Sequence, residues 1–422
     1  MSPGLNPVRA VLDNGAVVIA KVTHTTPAAA INLAVRAGSA CDPYGAEGTA
    51  WLLSRVIDRG TATRTALEIA EELDSRGITV TIAVTRHVFS LTCTCLAQDF
   101  AFVLQLLADM IVSPTLPPEE IATRKGEVIT SIRQDDDNPA VRANETLMAQ
   151  LYPNGHPYGR RTKGTIAIVE SLSRDDLVRF HTDYFAPSAL TAVIVGDVAV
   201  ERMQEEAHRV FGAWRHAPPV PLVLPPAPRA ARRERIVIPM MNKVQADIAC
   251  GFVGIRRLDP DYYACALMNN AFGQYAIGGR LGDSIRERQG MAYYVSSSLD
   301  ANVVEGPLAI RAGVSPENVD RAIASIDTEI VRLVKDGLTP KELDESRRYL
   351  IGSMPRTLET NGGIATFLQT AEFFGLGLDY DIRLPGYLNA VTLDAANAAA
   401  RRLLDVSRAT IVVAGPYTDG ET

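Results

Sequence analysis

The sequence predicts an α+β protein built from two duplicated domains, each with a mostly antiparallel sheet covered by helices. The apolar strand-like segments at residues 191–196 and 410–415 lie 219 residues apart, and similar helix-opening segments begin at Leu116 and Leu338, 222 residues apart. Two matches at nearly one offset indicate an internal repeat. In the first half, strand patterns are also separated along the chain from helical patterns, which is typical of the α+β class.

The clearest local patterns predict a helix followed by an antiparallel hairpin. Thr65 and Glu68 have the spacing of a capping box, an i, i+3, i+4, i+7 apolar stripe follows, and Gly77 stands where a C-cap glycine is expected. Alternating apolar positions at 78–84 and 89–95, with a turn between them, predict the hairpin. Cys93 and Cys95 belong to its second strand, so both are expected in the core. Helices are then expected at about 99–111 and 118–134.

A proline-rich segment divides the chain almost in half. Six prolines lie between residues 217 and 228, and a basic cluster follows at 229–235. Such a segment holds neither a helix nor a central strand, because proline lacks the backbone N–H that both require. We therefore predict an N-terminal domain at 1–216, a linker at 217–235 and a C-terminal domain at 236–422.

The composition excludes several classes of protein. Of the 422 residues, 47% are hydrophobic and 22% are charged, which fits a globular chain with two sizeable cores. The net charge is −7 and no basic run is interleaved with aromatic residues, so no nucleic-acid partner is expected. No segment reaches the about 18 to 20 apolar residues of a membrane span, and residues 1–18 lack a secretion pattern. We predict a cytoplasmic protein without a membrane partner.

Several motifs follow one another in an order that is informative as a set. They are Gly38-Ser-Ala-Cys-Asp-Pro43, Gly48-Thr-Ala-Trp-Leu-Leu-Ser-Arg55, Arg59-Gly-Thr61, His156-Pro-Tyr-Gly159, Tyr184-Phe-Ala-Pro187, Val195-Gly-Asp197, Gly278-Gly-Arg-Leu281 and Ile285-Arg-Glu-Arg-Gln-Gly-Met-Ala-Tyr293. With them the sequence resembles the pitrilysin/insulinase-type zinc metallopeptidases, in their short bacterial form similar to mitochondrial processing peptidase. The resemblance covers nearly the whole chain and implies two family-type domains that form half of a clamshell.

The zinc motif of the family is degenerate in this sequence. In active members the segment aligned with residues 51–55 is H-x-x-E-H, whose histidines hold zinc while the glutamate acts as general base. Here these positions are Trp51, Ser54 and Arg55, and the third ligand aligns with Ser131. An indole offers only an N–H donor and a guanidinium stays protonated, so neither binds a metal ion. We expect Trp51 to fill the metal position and Arg55 to pair with a carboxylate.

Other parts of the sequence offer no replacement metal site. The five cysteines form no C-x-x-C pair, and no two of the six histidines are three or four residues apart. We expect no metal ion and no cofactor in this chain.

Two residues of the second half match family residues that assist catalysis. The resemblance implies that Arg286 and Tyr293 reach the substrate at the zinc site, where a guanidinium and a phenol hydroxyl donate hydrogen bonds to the developing oxyanion. They assist hydrolysis but do not activate water. We therefore expect a non-catalytic subunit of a heterodimeric zinc peptidase. Its homologous partner carries H-x-x-E-H and zinc, this chain supplies Arg286 and Tyr293 in trans, and an extended peptide binds as an added strand.

Two alternative functions stay open at the level of the sequence. The first alternative is a catalytically inactive peptide-binding or scaffold protein that can pair with itself, in which Arg286 and Tyr293 only pack. A hydrolase that uses other residues is the second alternative, and activity of the purified chain alone would reveal it.

Overall fold

The computed structural model describes residues 4–274 and 279–419. The strands are β1 (Val8–Val11), β2 (Val17–Val22), β3 (Ala28–Val35), β4 (Thr81–Val84), β5 (Phe89–Leu96), β6 (Leu190–Gly196), β7 (Glu234–Pro239), β8 (Ala246–Val253), β9 (Ala292–Leu299), β10 (Pro307–Val314) and β11 (Thr410–Gly415). The α-helices are α1 (Thr49–Val56), α2 (Ala66–Asp74), α3 (Phe100–Val112), α4 (Pro118–Asp136), α5 (Pro139–Leu151), α6 (Ile166–Ser171), α7 (Arg174–Tyr184), α8 (Val200–Phe211), α9 (Tyr262–Asn269), α10 (Val319–Asp336), α11 (Pro340–Thr357), α12 (Asn361–Phe373), α13 (Tyr380–Ala390) and α14 (Leu393–Leu403). π-Helical turns occupy Asn270–Gln274 and Gly282–Arg288. Within these ranges no helix has the length and apolar character that a membrane crossing requires.

The two sheets share one topology, apart from the additional edge strand β1. The first sheet has the order β1-β2-β6-β3-β5-β4 and the second has the order β7-β11-β8-β10-β9. In the first sheet β2 pairs in parallel with β6, and in the second sheet β7 pairs in parallel with β11. The remaining pairs in both sheets are antiparallel. This shared order confirms the predicted α+β class and the duplication.

The chain divides into two compact units, each of which takes segments from both halves of the sequence. Unit 1 comprises residues 1–132, 161–223 and 354–382, and unit 2 comprises residues 133–160, 224–353 and 383–422. The predicted halves therefore differ from the units by two segments. One contains α5, which belongs to unit 2, and the other contains α12, which belongs to unit 1.

Apolar faces of the two sheets explain why α5 belongs to unit 2 and α12 belongs to unit 1. In unit 1, Ile364 and Leu368 of α12 pack against Val193 and Val195 of β6 and Ile19 of β2. In unit 2, α5 lies in the same way on β8 and β11. The opposite face of each sheet packs against the other helices of its unit, so both faces of the central strands are buried.

The predicted helix and hairpin in the first half are confirmed. Thr65 and Glu68 form the capping box of α2, and Gly77 has a φ of +62° just beyond the helix. β4 and β5 pair antiparallel across the predicted turn, although β4 begins at Thr81 rather than at residue 78. Cys93 and Cys95 are buried. The proline-rich segment has no helix or strand before β7, which takes in the last two residues of the predicted linker.

Candidate functional site

The N-terminus of α1 is fixed by a buried carboxylate and by two glycines. Asp42 accepts hydrogen bonds from the N–H groups of Gly48 and Ala50, each at 2.8 Å. Gly48 has a φ of +97°, and a Cβ there would lie 2.5 Å from the carbonyl oxygen of Lys163. A Cβ on Gly164 would lie 2.1 Å from the carbonyl oxygen of Glu47. Because both positions lack a side chain, the segment around Lys163 lies directly against the start of α1.

This close approach assembles four side chains, which we name the Trp51 cluster: Trp51, Arg55, Ser131 and Lys163. The Lys163 ammonium donates a hydrogen bond of 2.7 Å to the Ser131 hydroxyl, and its nitrogen lies 5.5 Å from the centroid of the Trp51 ring. The Arg55 guanidinium carbon lies 4.6 Å from the same centroid. The structure thus brings three of the four degenerate positions together, with a lysine between two of them.

Ser54 is the fourth degenerate position and lies within α1. Its side chain is buried, and its hydroxyl donates a hydrogen bond of 2.6 Å to the carbonyl oxygen of Trp51 in the preceding turn. A neutral hydroxyl is too weak a base to take a proton from water as a carboxylate does, and the proton of this one is donated within its own helix. The resemblance aligns this position with the general base, and in this chain its side chain bonds within the helix.

Arg55 has an aromatic partner rather than the expected carboxylate. Across the part of the chain that the structure describes, no Asp or Glu oxygen lies within the 4.0 Å of an ion pair with Arg55. The side chain is only partly buried, so water still solvates the guanidinium while the indole covers one of its faces. The expectation of a carboxylate partner was wrong because it assumed full burial of the charge.

Carboxylates nevertheless act on this region from a longer distance. Burial raises the pKa of Asp58, and the charges of Arg59, Arg124 and Arg55 partly offset that effect. A hydrogen bond from Arg124 lowers the pKa of Glu127, and Arg55 contributes to the shift through its charge. Charged groups of α4 and of the residues after α1 therefore interact with Arg55, while the Trp51 cluster itself carries only positive charge.

The Trp51 cluster does not fit a zinc ion. Zinc is held by thiolate, imidazole or carboxylate groups, and the cluster offers an indole, a guanidinium, an ammonium and a hydroxyl. The ammonium of Lys163 and the guanidinium of Arg55 would both repel a divalent cation. In residues 4–274 and 279–419 no group of three or more His, Cys, Asp or Glu side chains is arranged to hold a metal ion.

Arg286 and Tyr293 belong to unit 2 and are exposed. Arg286 lies in the π-helical turn Gly282–Arg288, where its side chain is 46% exposed and its Nε lies 3.7 Å from Glu287. Tyr293 is the second residue of β9 and is 65% exposed. In the described ranges no hydrogen bond, ion pair or ring contact joins these two residues. Arg288 of the same turn pairs with Asp283 at 2.9 Å.

The segment before Arg286 is anchored by Arg280 of the Gly278-Gly-Arg-Leu281 motif. Gly278 lies outside the described residues. Arg280 makes a two-point ion pair with Glu342, with N–O distances of 2.5 and 2.8 Å, and also donates to the carbonyl oxygen of Gly337. The motif thus ties the turn that carries Arg286 to the beginning of α11.

Sequence reasoning missed two residues near these sites. Lys163 completes the Trp51 cluster, and only the pair of glycines at 48 and 164 hints that their segments approach each other. Tyr294 is the neighbour of Tyr293, and its hydroxyl donates a hydrogen bond of 2.5 Å to Asp247. Tyr294 directly follows the motif that ends at Tyr293, and this adjacency was the available signal.

Two family profiles match successive parts of the chain. The profile described as Insulinase (Peptidase family M16) matches residues 17–165, and the profile described as Peptidase M16 inactive domain matches residues 171–350. The first match contains the Trp51 cluster, and the second contains Arg286 and Tyr293. Together the matches cover most of the chain.

Curated relatives match over nearly their full length. An uncharacterized zinc protease of Streptomyces coelicolor is 24% identical over 97% of this chain and 90% of its own. The uncharacterized zinc protease YmxG of Bacillus subtilis is 25% identical over 92% of this chain and 94% of its own. A protein of Helicobacter pylori named non-peptidase homolog YmxG is 22% identical over 94% of this chain and 91% of its own.

Solved structures share the fold. The crystal structure of a peptidase M16 inactive domain from Pseudomonas fluorescens has a TM-score of 0.91 and 25% identity, and the match covers 99% of this chain and 100% of that one. The crystal structure of a protease from Helicobacter pylori also has a TM-score of 0.91, at 17% identity, over 98% of this chain and 100% of that one.

Proposed function

The chain belongs to the insulinase family of peptidases, family M16, as an inactive-type member, and we propose that it is the non-catalytic subunit of a two-chain zinc peptidase. The partner is a homologous chain that carries H-x-x-E-H, the third ligand and the zinc ion. This chain closes the peptide-binding chamber and presents Arg286 and Tyr293 to the peptide bond that the partner cleaves.

This proposal rests on the contrast between the degenerate zinc-site positions and the two assisting residues, Arg286 and Tyr293. The four positions of the zinc motif have become an indole, a guanidinium and two hydroxyls, and a lysine ammonium lies among them. Arg286 and Tyr293 have kept the residue types that donate to an oxyanion, and both are exposed. A chain that keeps only the assisting donors is useful to hydrolysis when another chain activates the water.

The decisive experiment mixes the purified chain with its H-x-x-E-H homologue from the same genome. We expect each chain alone to leave an internally quenched peptide library intact, and the mixture to cleave it. Metal analysis of the separated chains should find zinc in the partner. Arg286→Ala in this chain should slow the mixture by about 100-fold or more, because loss of one oxyanion donor typically costs about 3 to 4 kcal/mol.

The same π-helical turn supplies a matched control. Arg288→Ala removes an exposed guanidinium that pairs with Asp283, so its mixture should keep turnover within about twofold of wild type. Tyr293→Phe should also slow the mixture, and its control is Tyr417→Phe, which removes one phenol hydroxyl that is bonded to Asp320 elsewhere in unit 2. Equal turnover in the Arg286→Ala and wild-type mixtures would refute the role in trans.

A peptide-binding or scaffold protein is the second candidate function, and the similarity to the Helicobacter pylori protein named non-peptidase homolog YmxG favours it. In that case the chain binds peptide or a second copy of itself without any cleavage. An inactive mixture in which the two chains still form a complex would support this candidate.

A further inference from the structure

β9 contains a bulge at Tyr293. β9 is the edge strand of the second sheet and pairs with β10, with Tyr294 opposite Gly313 and Ala292 opposite Val314. Between these two pairs the chain moves by two residues along β9 but by only one along β10. Tyr293 is therefore the additional, unpaired residue of the bulge. A bulge bends its strand and redirects side chains, and bulges occur frequently beside functional sites.

A row of three residues across three strands holds this bulge. Gly313 of β10 lies opposite Tyr294 of β9 on one side and opposite Asp247 of β8 on the other. The Tyr294 hydroxyl donates to Asp247 at 2.5 Å, so its side chain crosses the whole width of β10. Gly313 makes this crossing possible, because a Cβ there would lie 2.5 Å from the Tyr294 ring.

The acceptor in this row is itself fixed. Asp247 is only 4% exposed, and the side-chain amide of Gln245 donates a second hydrogen bond of 3.0 Å to the same oxygen. Burial raises the pKa of Asp247, and burial together with the hydrogen bond to Asp247 raises the pKa of Tyr294, which keeps the proton on the phenol. The hydroxyl of Tyr294 is therefore committed to the protein.

Tyr293 differs from its neighbour in this respect. Its ring is 65% exposed, and within residues 4–274 and 279–419 its hydroxyl has no hydrogen-bond partner. Two adjacent tyrosines thus have different tasks, since one anchors the strand and the other has a hydroxyl available to a ligand.

We propose that Tyr294 and Asp247 are positioning residues, which lock the bulge of β9 across Gly313 so that Tyr293 presents its hydroxyl to the peptide. The catalytic consequence rests on the proposed function, whereas the placement of Tyr293 is a property of this chain alone. The two statements are therefore tested separately.

The placement is tested in the isolated chain by NMR of ring-labelled tyrosine, with the Tyr293 signal assigned through Tyr293→Phe. We expect Tyr294→Phe and Asp247→Ala to shift the Tyr293 signal and to speed amide exchange in residues 292–295 by about tenfold. Asp247→Asn should have a smaller effect, because an amide oxygen still accepts the hydrogen bond. Tyr417→Phe, which removes a hydroxyl bonded to Asp320 elsewhere in unit 2, should change neither readout. An unchanged Tyr293 signal in Tyr294→Phe would overturn the proposal.

The catalytic consequence is tested in the mixture with the zinc-bearing partner. Tyr294→Phe should lower kcat by about tenfold with KM within twofold of wild type. In the Tyr293→Phe background it should lower kcat no further, because it acts through Tyr293. Additive losses would overturn the positioning role. A wild-type mixture without turnover would refute the proposed function, and the NMR result would still decide the placement.

Discussion

Lys163 places a positive charge where the family resemblance aligns the zinc ligands of active members. Its ammonium bonds to Ser131, the position of the third ligand, and lies beside Trp51, the position of the first. A ligand carboxylate at the third position would be an uncompensated charge without the metal ion, and the neutral hydroxyl of Ser131 avoids that problem. The Trp51 ring interacts favourably with both Lys163 and Arg55.

The close backbone approach at Gly48 decides whether Lys163 reaches Trp51. We expect Gly48→Ala to lower the free energy of unfolding by about 3 kcal/mol, because the new Cβ would lie 2.5 Å from the Lys163 carbonyl oxygen and φ is +97°. Denaturant titration followed by tryptophan fluorescence measures this change, since Trp51 is one of two tryptophans in the chain.

Gly45 provides the control for backbone strain alone. It has a φ of +82°, but no atom lies within 4 Å of a Cβ built there. Gly45→Ala should therefore cost only about 1 kcal/mol, the usual penalty for a left-handed alanine. Equal costs for the two substitutions would show that the contact between the segments around Gly48 and Lys163 contributes nothing.

The beginning of α11 is an element whose stability depends on pH. Glu342 closes a capping box with Thr339, accepting its N–H at 2.7 Å, and also binds Arg280. Burial opposes ionisation of Glu342, but the hydrogen bonds from Arg280 and Thr339 outweigh it and lower its pKa to about 2. Because the pKa is lower in the folded state, the stabilisation is complete above the ordinary value of 4.5 and is lost as the pH falls toward 2.

Glu342→Gln should therefore destabilise the protein by about 2 kcal/mol at pH 7, with a difference that shrinks below pH 4. Urea titrations of both proteins between pH 3 and pH 7 measure it. Glu345→Gln is the control on the same helix, because Glu345 is exposed and its oxygen lies 3.8 Å from Lys341. A loss that does not vary with pH would mean that the charge of Glu342 is not responsible.

Elements determined by local sequence could be predicted, and those determined by distant contacts could not. The α2 capping box and the β4–β5 hairpin follow from spacing within a few residues, and β6 and β11 are each a short apolar segment. The bulge at Tyr293 depends on Gly313 and Asp247 of two other strands, so no local pattern contains it. Lys163 in the Trp51 cluster is a case of the same kind, because a contact between segments more than a hundred residues apart brings it there.

The division of the molecule into two compact units could not be predicted from local sequence patterns either. A proline-rich segment marks a break in the chain, and it does lack helix and strand. The helices that cover one face of each sheet nevertheless come from beyond that break, because α12 lies on the sheet of unit 1 and α5 on the sheet of unit 2. The Pro-rich segment separates the sequence into halves, whereas burial of apolar sheet faces defines the compact units.

This exchange of segments predicts that neither half of the chain folds alone. Residues 1–216 without α12 would expose the apolar side chains Ile19, Val193 and Val195 to water, and residues 236–422 would lose α5 in the same way. At about 25 cal/mol for each Å² of apolar surface, uncovering a sheet face removes several kcal/mol of a total stability of about 5 to 15 kcal/mol. Expressed separately, each half should lack a cooperative unfolding transition, and coexpression should restore one.

A fusion of residues 1–216 to residues 354–382 should also restore cooperative unfolding, because it rebuilds most of unit 1. If residues 1–216 alone unfold cooperatively, with the stability of that fusion, α12 is not required to complete unit 1.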